Sequence, residues 1–311
     1  MKRQPALLTR IRRNRSLVRN AGYALFLAAV LLLSPAPAAA GELRVLASFL
    51  PMYLFARNVV GDTPGVSVDL MLPASLGCPH DYALTPGDMR KIASADLFIA
   101  NGYGMEEFLG APVRKANPRI RIVETAEGVT PIRAEEGGHG GINPHTWVSP
   151  RNAIRQVRNI EKALSAASPA NAAAFRRNAD AYAAKLTVLA GEFEAASGRF
   201  RNRNIVTFHN VFDYLARDLR LNIVGKIEET PGQEPSAGEV RKLIRAIREK
   251  RAAAVFWEPQ YPKRLADVIA AEAGVPSRAL DPVSTGSVDP SSYETVMRRN
   301  LRTLMEALGT R

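Results

Sequence analysis

Short runs rich in apolar and β-branched residues recur along the chain, and most are separated by stretches with helical spacing. Leu43-Arg44-Val45-Leu46-Ala47, Val66-Ser67-Val68-Asp69-Leu70-Met71, Leu97-Phe98-Ile99-Ala100 and Ile120-Arg121-Ile122-Val123 predict four strands. Met52 to Val60 and Thr85 to Ser94 predict helices between them. A second set follows at Ile205–Phe208, Asn222–Gly225, Ala254–Trp257 and Ser277–Leu280. Strands that alternate with helices argue for parallel sheets with helices on their faces.

The middle of the chain reads differently. From Ser149 to about Ser197 it is alanine-rich, charged and poor in strand formers. Ser149-Pro150 has the form of an N-cap followed by proline at the first helical position, and Ser168-Pro169 repeats it. From Pro169 apolar residues recur at helical spacing, through Phe175, Ala179, Tyr182, Leu186, Leu189 and Phe193, as far as Gly198. A helix of about 30 residues would be about 40 Å long, enough to lie across two lobes as a stiff strut.

The flanking halves echo each other. Thr85-Pro86-Gly87-Asp88 and Ser236-Ala237-Gly238-Glu239 both pair a hydroxyl N-cap with an acid three residues on, and both lead to a strand. The aligned phenylalanines, Phe98 and Phe256, follow their caps by 13 and 20 residues. Seven extra residues are about two helical turns and would keep the helix facing the same way. Any two βα units share some of these features. The expected fold is α/β with two similar lobes, each a mostly parallel sheet flanked by helices, joined by one long backbone helix. The expected boundaries are 1–40 for a signal peptide, 41–168 for the N-terminal lobe, 169–198 for the linking helix and 199–311 for the C-terminal lobe.

Charge and cysteine content matter mainly through the first 40 residues. Residues 1–20 hold seven Lys and Arg and no acid, ahead of the apolar run Ala24 to Leu33 and the small residues Ala38-Ala39-Ala40. This is the pattern of a secretory signal, with cleavage expected near Ala40. Without it, 35 Lys and Arg stand against 30 Asp and Glu, so the formal +12 of the whole chain becomes an ordinary +5. Nucleic-acid binding is therefore not expected. Cys78 is the only cysteine, so the core must stabilise the fold without an internal disulfide.

The chemistry concentrates in histidine. Three of the four histidines lie where an apolar or strand-like segment gives way to a loop or helix start: His80 in Cys78-Pro79-His80-Asp81, His145 in Asn143-Pro144-His145-Thr146, and His209 in Phe208-His209-Asn210. Ligands of open α/β sheets gather at strand ends, which can bring these imidazoles to one point. Asp281, in Leu280-Asp281-Pro282, is the candidate fourth ligand. Three imidazoles and a carboxylate fill a tetrahedral zinc site and leave no open position for catalysis. The donor set leans to Zn²⁺, with Mn²⁺ and Fe²⁺ as alternatives. His139, between glycines, reads as a loop residue, and Cys78 as an idle thiol. Glu258 is either a carboxylate ligand or an acceptor that orients an imidazole. Trp147 and Trp257 are expected at the lobe interface.

Taken in order, these phrases resemble the metal-binding substrate-binding proteins of ABC importers, the zinc/manganese cluster. The resemblance rests on Pro79-His80-Asp81-Tyr82, Ala95-Asp96-Leu97-Phe98, Asn101-Gly102, Asn143-Pro144-His145-Thr146-Trp147, Phe208-His209, Glu234-Pro235-Ser236 and Leu280-Asp281-Pro282, nearly the whole span after the signal. It implies a metal between two lobes, with His80, His145, His209 and Asp281 as ligands. It also implies a periplasmic monomer that captures a divalent ion and delivers it to a permease of the inner membrane. Asn143 departs from the aspartate frequent there, and the His-rich loop of many zinc members is reduced to Glu135, Glu136 and His139. Phe256-Trp257-Glu258-Pro259-Gln260 and a histidine at 209 stand nearer the zinc branch than the manganese branch. A zinc hydrolase, with Glu258 as base, is the competing class, but the chain has no HExxH phrase.

Overall fold

The structure is a computed structural model that describes residues 42–77, 79, 82–107, 110–133, 141–228 and 233–309. The expected signal segment, His80, Cys78 and His139 lie outside the described residues. The described part opens with β1 (Leu43–Ala47), α1 (Leu50–Val60), β2 (Val66–Leu70), α2 (Pro86–Ser94), β3 (Leu97–Ala100), α3 (Ala111–Ala116) and β4 (Arg121–Glu124). These strands form one parallel sheet in the order β2-β1-β3-β4.

Two helices follow, α4 (Pro150–Ala167) and α5 (Ala172–Ser197). Then come β5 (Asn204–Thr207), α6 (Asp213–Leu219), β6 (Asn222–Lys226), α7 (Ala237–Glu249), β7 (Val255–Trp257), α8 (Arg264–Ala273), β8 (Ser277–Ala279) and α9 (Ser292–Leu308). The second sheet is also parallel, in the order β6-β5-β7-β8. In both sheets the first strand of the lobe pairs with its second on one side and its third on the other. That arrangement leaves a crevice at the carboxyl ends of the two central strands, where ligands of such sheets bind.

The long helix α5 has 26 residues and is about 39 Å long at the usual rise per residue. It packs against α1 and α4 from the first half of the chain and against α6 and α9 from the second. Its buried side chains include Phe175, Ala179, Tyr182, Leu186, Leu189 and Phe193, the stripe expected from the spacing. Its start differs from expectation: Pro169–Asn171 is a 3₁₀ turn, and the α-helix begins only at Ala172. The Ser168 hydroxyl accepts from the Asn171 side chain at 3.1 Å, which diverts it from capping backbone N–H groups. Ser149 does cap α4, accepting from the Asn152 N–H at 3.2 Å.

Both capping boxes form, Thr85 with Asp88 and Ser236 with Glu239. The seven-residue difference between the two βα units divides: α2 has nine residues and α7 thirteen, and the remaining three lengthen the turn before β7. The larger apolar core runs from the first sheet through α4 and α5 to Tyr214 on α6 and Tyr293 and Met297 on α9. A smaller cluster, with Val206, Leu243, Ile247 and Ile269, lies between the second sheet and helices α7 and α8. The two halves thus share one continuous core beneath the crevice. Trp257 differs from expectation, because it packs against the smaller cluster with Lys263 Nζ 5.9 Å from its ring centroid. Among the described residues no helix is long and apolar enough to cross a membrane.

Candidate metal centre

His209 stands two residues beyond the end of β5, and Glu258 one residue beyond the end of β7. Both are fully buried. Glu258 Oε1 lies 2.6 Å from Nδ1 of His209, and Gln260 Nε2 donates to Glu258 Oε2 at 2.6 Å. The carboxylate therefore faces the Nδ1 side of the ring, where it orients the imidazole. Of the two roles open to Glu258, this geometry fits the acceptor that orients the imidazole.

His145 is held by a different device. The Asn143 Oδ1 accepts from both the backbone N–H and Nδ1 of His145, each at 2.9 Å. An amide oxygen only accepts, so Nδ1 carries the proton and the lone pair is on Nε2. The loop is clamped on both sides of the histidine by Asn101, the residue that follows β3. Asn101 Nδ2 donates to the Pro144 carbonyl at 2.7 Å, and its Oδ1 accepts from Thr146 Oγ1 and Gln156 Nε2, both at 2.9 Å. Asn101 is fixed in turn by the buried Glu106. That carboxyl accepts from the Asn101 N–H at 2.7 Å, the Gly102 N–H at 3.0 Å and the Ser48 hydroxyl at 2.8 Å. Burial nevertheless outweighs those donors and pushes its pKa up to about 7.

The two imidazoles meet with ring centroids 5.2 Å apart and planes at 74°. Trp147, expected at the interface, is there: its ring packs edge-on against Phe49 at 4.9 Å, and its Nε1 donates to the Pro282 carbonyl at 2.7 Å. Asp281 follows β8 and is nearly buried. Its Oδ1 accepts from the Val283 N–H at 2.8 Å, and its Oδ2 pairs with Arg299 Nη2 at 2.5 Å. Burial raises its pKa, opposed by these two donors. Val283 has φ +63°, a costly conformation for a β-branched residue, and strain of this kind clusters at functional sites.

Among the described residues, no three His, Cys, Asp or Glu side chains form a group that could hold a metal ion. The described residues thus bring His145 and His209 together but do not join Asp281 to them as a third ligand. Those flanking His80 do reach the second lobe. A side chain at Gly77 would meet Gln260 and Thr285, both at 3.9 Å, and the Gly286 N–H donates to the Ala74 carbonyl at 2.9 Å. Beyond His80, the Tyr82 hydroxyl donates to Asp88 Oδ2 at 2.7 Å.

Asn101, Glu106 and Arg299 were not legible as site residues from pattern alone. The signals for Asn101 were its position directly after a strand end and its place in the family-like phrase Asn101-Gly102.

Two parallel sheets with crevices at their switch points, bridged by a long helix over a shared core and bearing a buried imidazole pair, define a bilobal solute-binding protein of the metal-binding kind. Residues 45–307 match the family model described as zinc-uptake complex component A, periplasmic, and the chain belongs to that family. It is 31% identical over 283 residues to the zinc-binding lipoprotein AdcA of Streptococcus pneumoniae, covering 86% of this chain and 56% of AdcA. The chain thus spans little more than half the length of that relative. It is 29% identical to the high-affinity zinc uptake system protein ZnuA of Bacillus subtilis, covering 86% of this chain and 88% of ZnuA. Among solved structures, the substrate-binding protein FpvC of Pseudomonas aeruginosa in complex with Mn²⁺ superposes with a TM-score of 0.76 at 30% identity, covering 86% of this chain and 98% of FpvC.

Proposed function

We propose that this chain captures Zn²⁺ in the periplasm and delivers it to an ABC-type permease, by binding and release rather than by catalysis. The observation that carries the reading is the pair of buried imidazoles, one from each lobe, with ring centroids 5.2 Å apart and an oxygen acceptor beside each Nδ1. Family membership and the zinc-binding relatives support the cargo. In this reading His80 and Asp281 complete the site, making three nitrogen ligands and one oxygen, a set that suits zinc and leaves no open position for a reacting water. Binding of the ion by Asp281 would compete with its pairing to Arg299.

The test is metal content and competitive affinity of the chelator-stripped protein, with Zn²⁺, Mn²⁺ and Fe²⁺ compared anaerobically. One tightly bound zinc per chain, lost in His145→Ala and His209→Ala, is the expected result. Affinity unchanged in both variants would overturn the site. Tighter one-to-one binding of manganese or iron than of zinc would overturn the cargo.

A further inference from the structure

Asn143 does more than orient one ring. Its Oδ1 holds His145, while its Nδ2 donates to the Asn210 carbonyl at 2.7 Å and to Asp213 Oδ2 at 3.0 Å. Asn210 is the residue directly after His209, so one side chain spans the turns that carry both imidazoles. The backbone joins in, since the Tyr214 hydroxyl donates to the Asn143 carbonyl at 2.8 Å and accepts from the Ile132 N–H at 3.1 Å. Asn143 is fully buried, so each of these partners must be satisfied within the protein.

From this geometry we propose that Asn143 is a positioning residue that clamps the His145 loop to the turn after His209, so that the two imidazoles form one preset pair. The clamp needs an amide. Its oxygen faces two N–H groups and its nitrogen faces two oxygens, one of them a carboxylate. An aspartate would still accept from His145 but would set a second carboxylate against Asp213 and a bare oxygen against the Asn210 carbonyl. Presetting both rings before the ion arrives removes the cost of ordering them on binding.

The inference rests on the metal-site reading, and the experiment separates the two. Competitive Zn²⁺ affinity, apo melting temperature and the visible spectrum of the Co²⁺-loaded protein are measured for Asn143→Ala, Asn143→Asp, Asp213→Asn, Asn143→Asp/Asp213→Asn and His145→Ala. Loss of an outer hydrogen-bond partner typically weakens metal binding by about 10- to 100-fold. Asn143→Ala is expected in that range with a changed Co²⁺ spectrum, which a loss of stability alone would not produce. Asn143→Asp is expected to be at least as weak, and adding Asp213→Asn to it is expected to recover about tenfold by restoring a donor opposite the new carboxylate. His145→Ala losing affinity while Asn143→Ala stays within about twofold of wild type would sink the clamp and spare the site. His145→Ala without effect would sink both. If Asn143→Ala does not fold, the comparison of Asn143→Asp with its Asp213→Asn partner decides, and equal affinities in those two overturn the proposal.

Discussion

The two lobes use the same sheet order and different residues at the same places. Two positions past the first strand of each lobe stand Phe49 and His209, and one position past the third stand Asn101 and Glu258. In the C-terminal lobe these positions supply an imidazole and the carboxylate that orients it. In the N-terminal lobe they supply an aromatic ring that packs on Trp147 and an amide that grips the loop on both sides of His145. One lobe presents its imidazole directly from the switch point, whereas the other uses the switch point to hold a loop that presents one. A shared topology therefore fixes where a site can be, while the residues at the strand ends decide whether they serve as ligands or as supports.

The largest effect should come from the rings themselves. His145→Ala and His209→Ala are each expected to weaken zinc binding by about a hundred- to a thousandfold, as one ligand's share of a site worth about 10–16 kcal/mol in all. Calorimetric competition with a chelator checks this. A loss confined to one of the two would break the picture of equal partners drawn from unlike supports.

Next comes the buried carboxyl behind Asn101. Glu106 titrates near pH 7 in the folded chain and in the ordinary carboxylate range when unfolded, so the fold favours its neutral form. Its contribution to stability is thus fully present below about pH 4.5 and is lost as the pH rises through 7, about 3 kcal/mol in all. Denaturant unfolding of the stripped protein between these limits should show that decline, and Glu106→Gln should show a flatter profile. Parallel profiles for the two proteins would mean that the carboxyl does not titrate in this window. In the C-terminal lobe the carboxylate that follows the third strand, Glu258, faces His209 itself.

Much of this arrangement was legible in the sequence. The strands came from apolar runs, the two helix starts from their capping boxes, and the stripe on α5 from its spacing, because each is set by local chemistry. The candidate histidines stood out because their neighbours are strand ends and prolines. The supports did not stand out. An asparagine after a strand reads as a turn residue until the structure shows its amide bridging Pro144 and Thr146. Likewise Arg299, 18 residues beyond Asp281, reads as one more surface base on an amphipathic helix. Hydrogen-bond partners distant in sequence leave no periodic trace, so the shell around a site is harder to read than the site.

The contrast between gripping a ring and gripping a loop can be sharpened by Glu258→Gln and Asn101→Ala. Glu258→Gln is expected to weaken zinc by about 10- to 100-fold, since it changes the partner of a ligand. Asn101→Ala removes partners from several buried groups, at about 1–3 kcal/mol for each left unsatisfied, so its main loss should be in apo stability. Affinity and melting temperature measured on the same samples decide the matter. Equal patterns in the two variants would erase the distinction between the lobes.

The smallest effect tests whether the lobes are alike away from the site. Thr85 and Ser236 cap equivalent helices with the same reciprocal bonds, at 3.2 and 3.3 Å to the N3 backbone. Replacing either by alanine should cost about 1 kcal/mol by denaturant unfolding. The surroundings differ in one respect: Asp88 also receives the Tyr82 hydroxyl, and so anchors the chain just beyond His80. Thr85→Ala leaves that bond in place, and both alanine variants should therefore keep zinc affinity within about twofold of wild type, far from the losses expected of a ligand's partner. Asp88→Ala removes the anchor as well as the cap. A fall in zinc affinity in Asp88→Ala but not in Glu239→Ala would show that the first capping box serves the metal and the second only its helix. Equal affinities in those two would show that both boxes serve their helices alone.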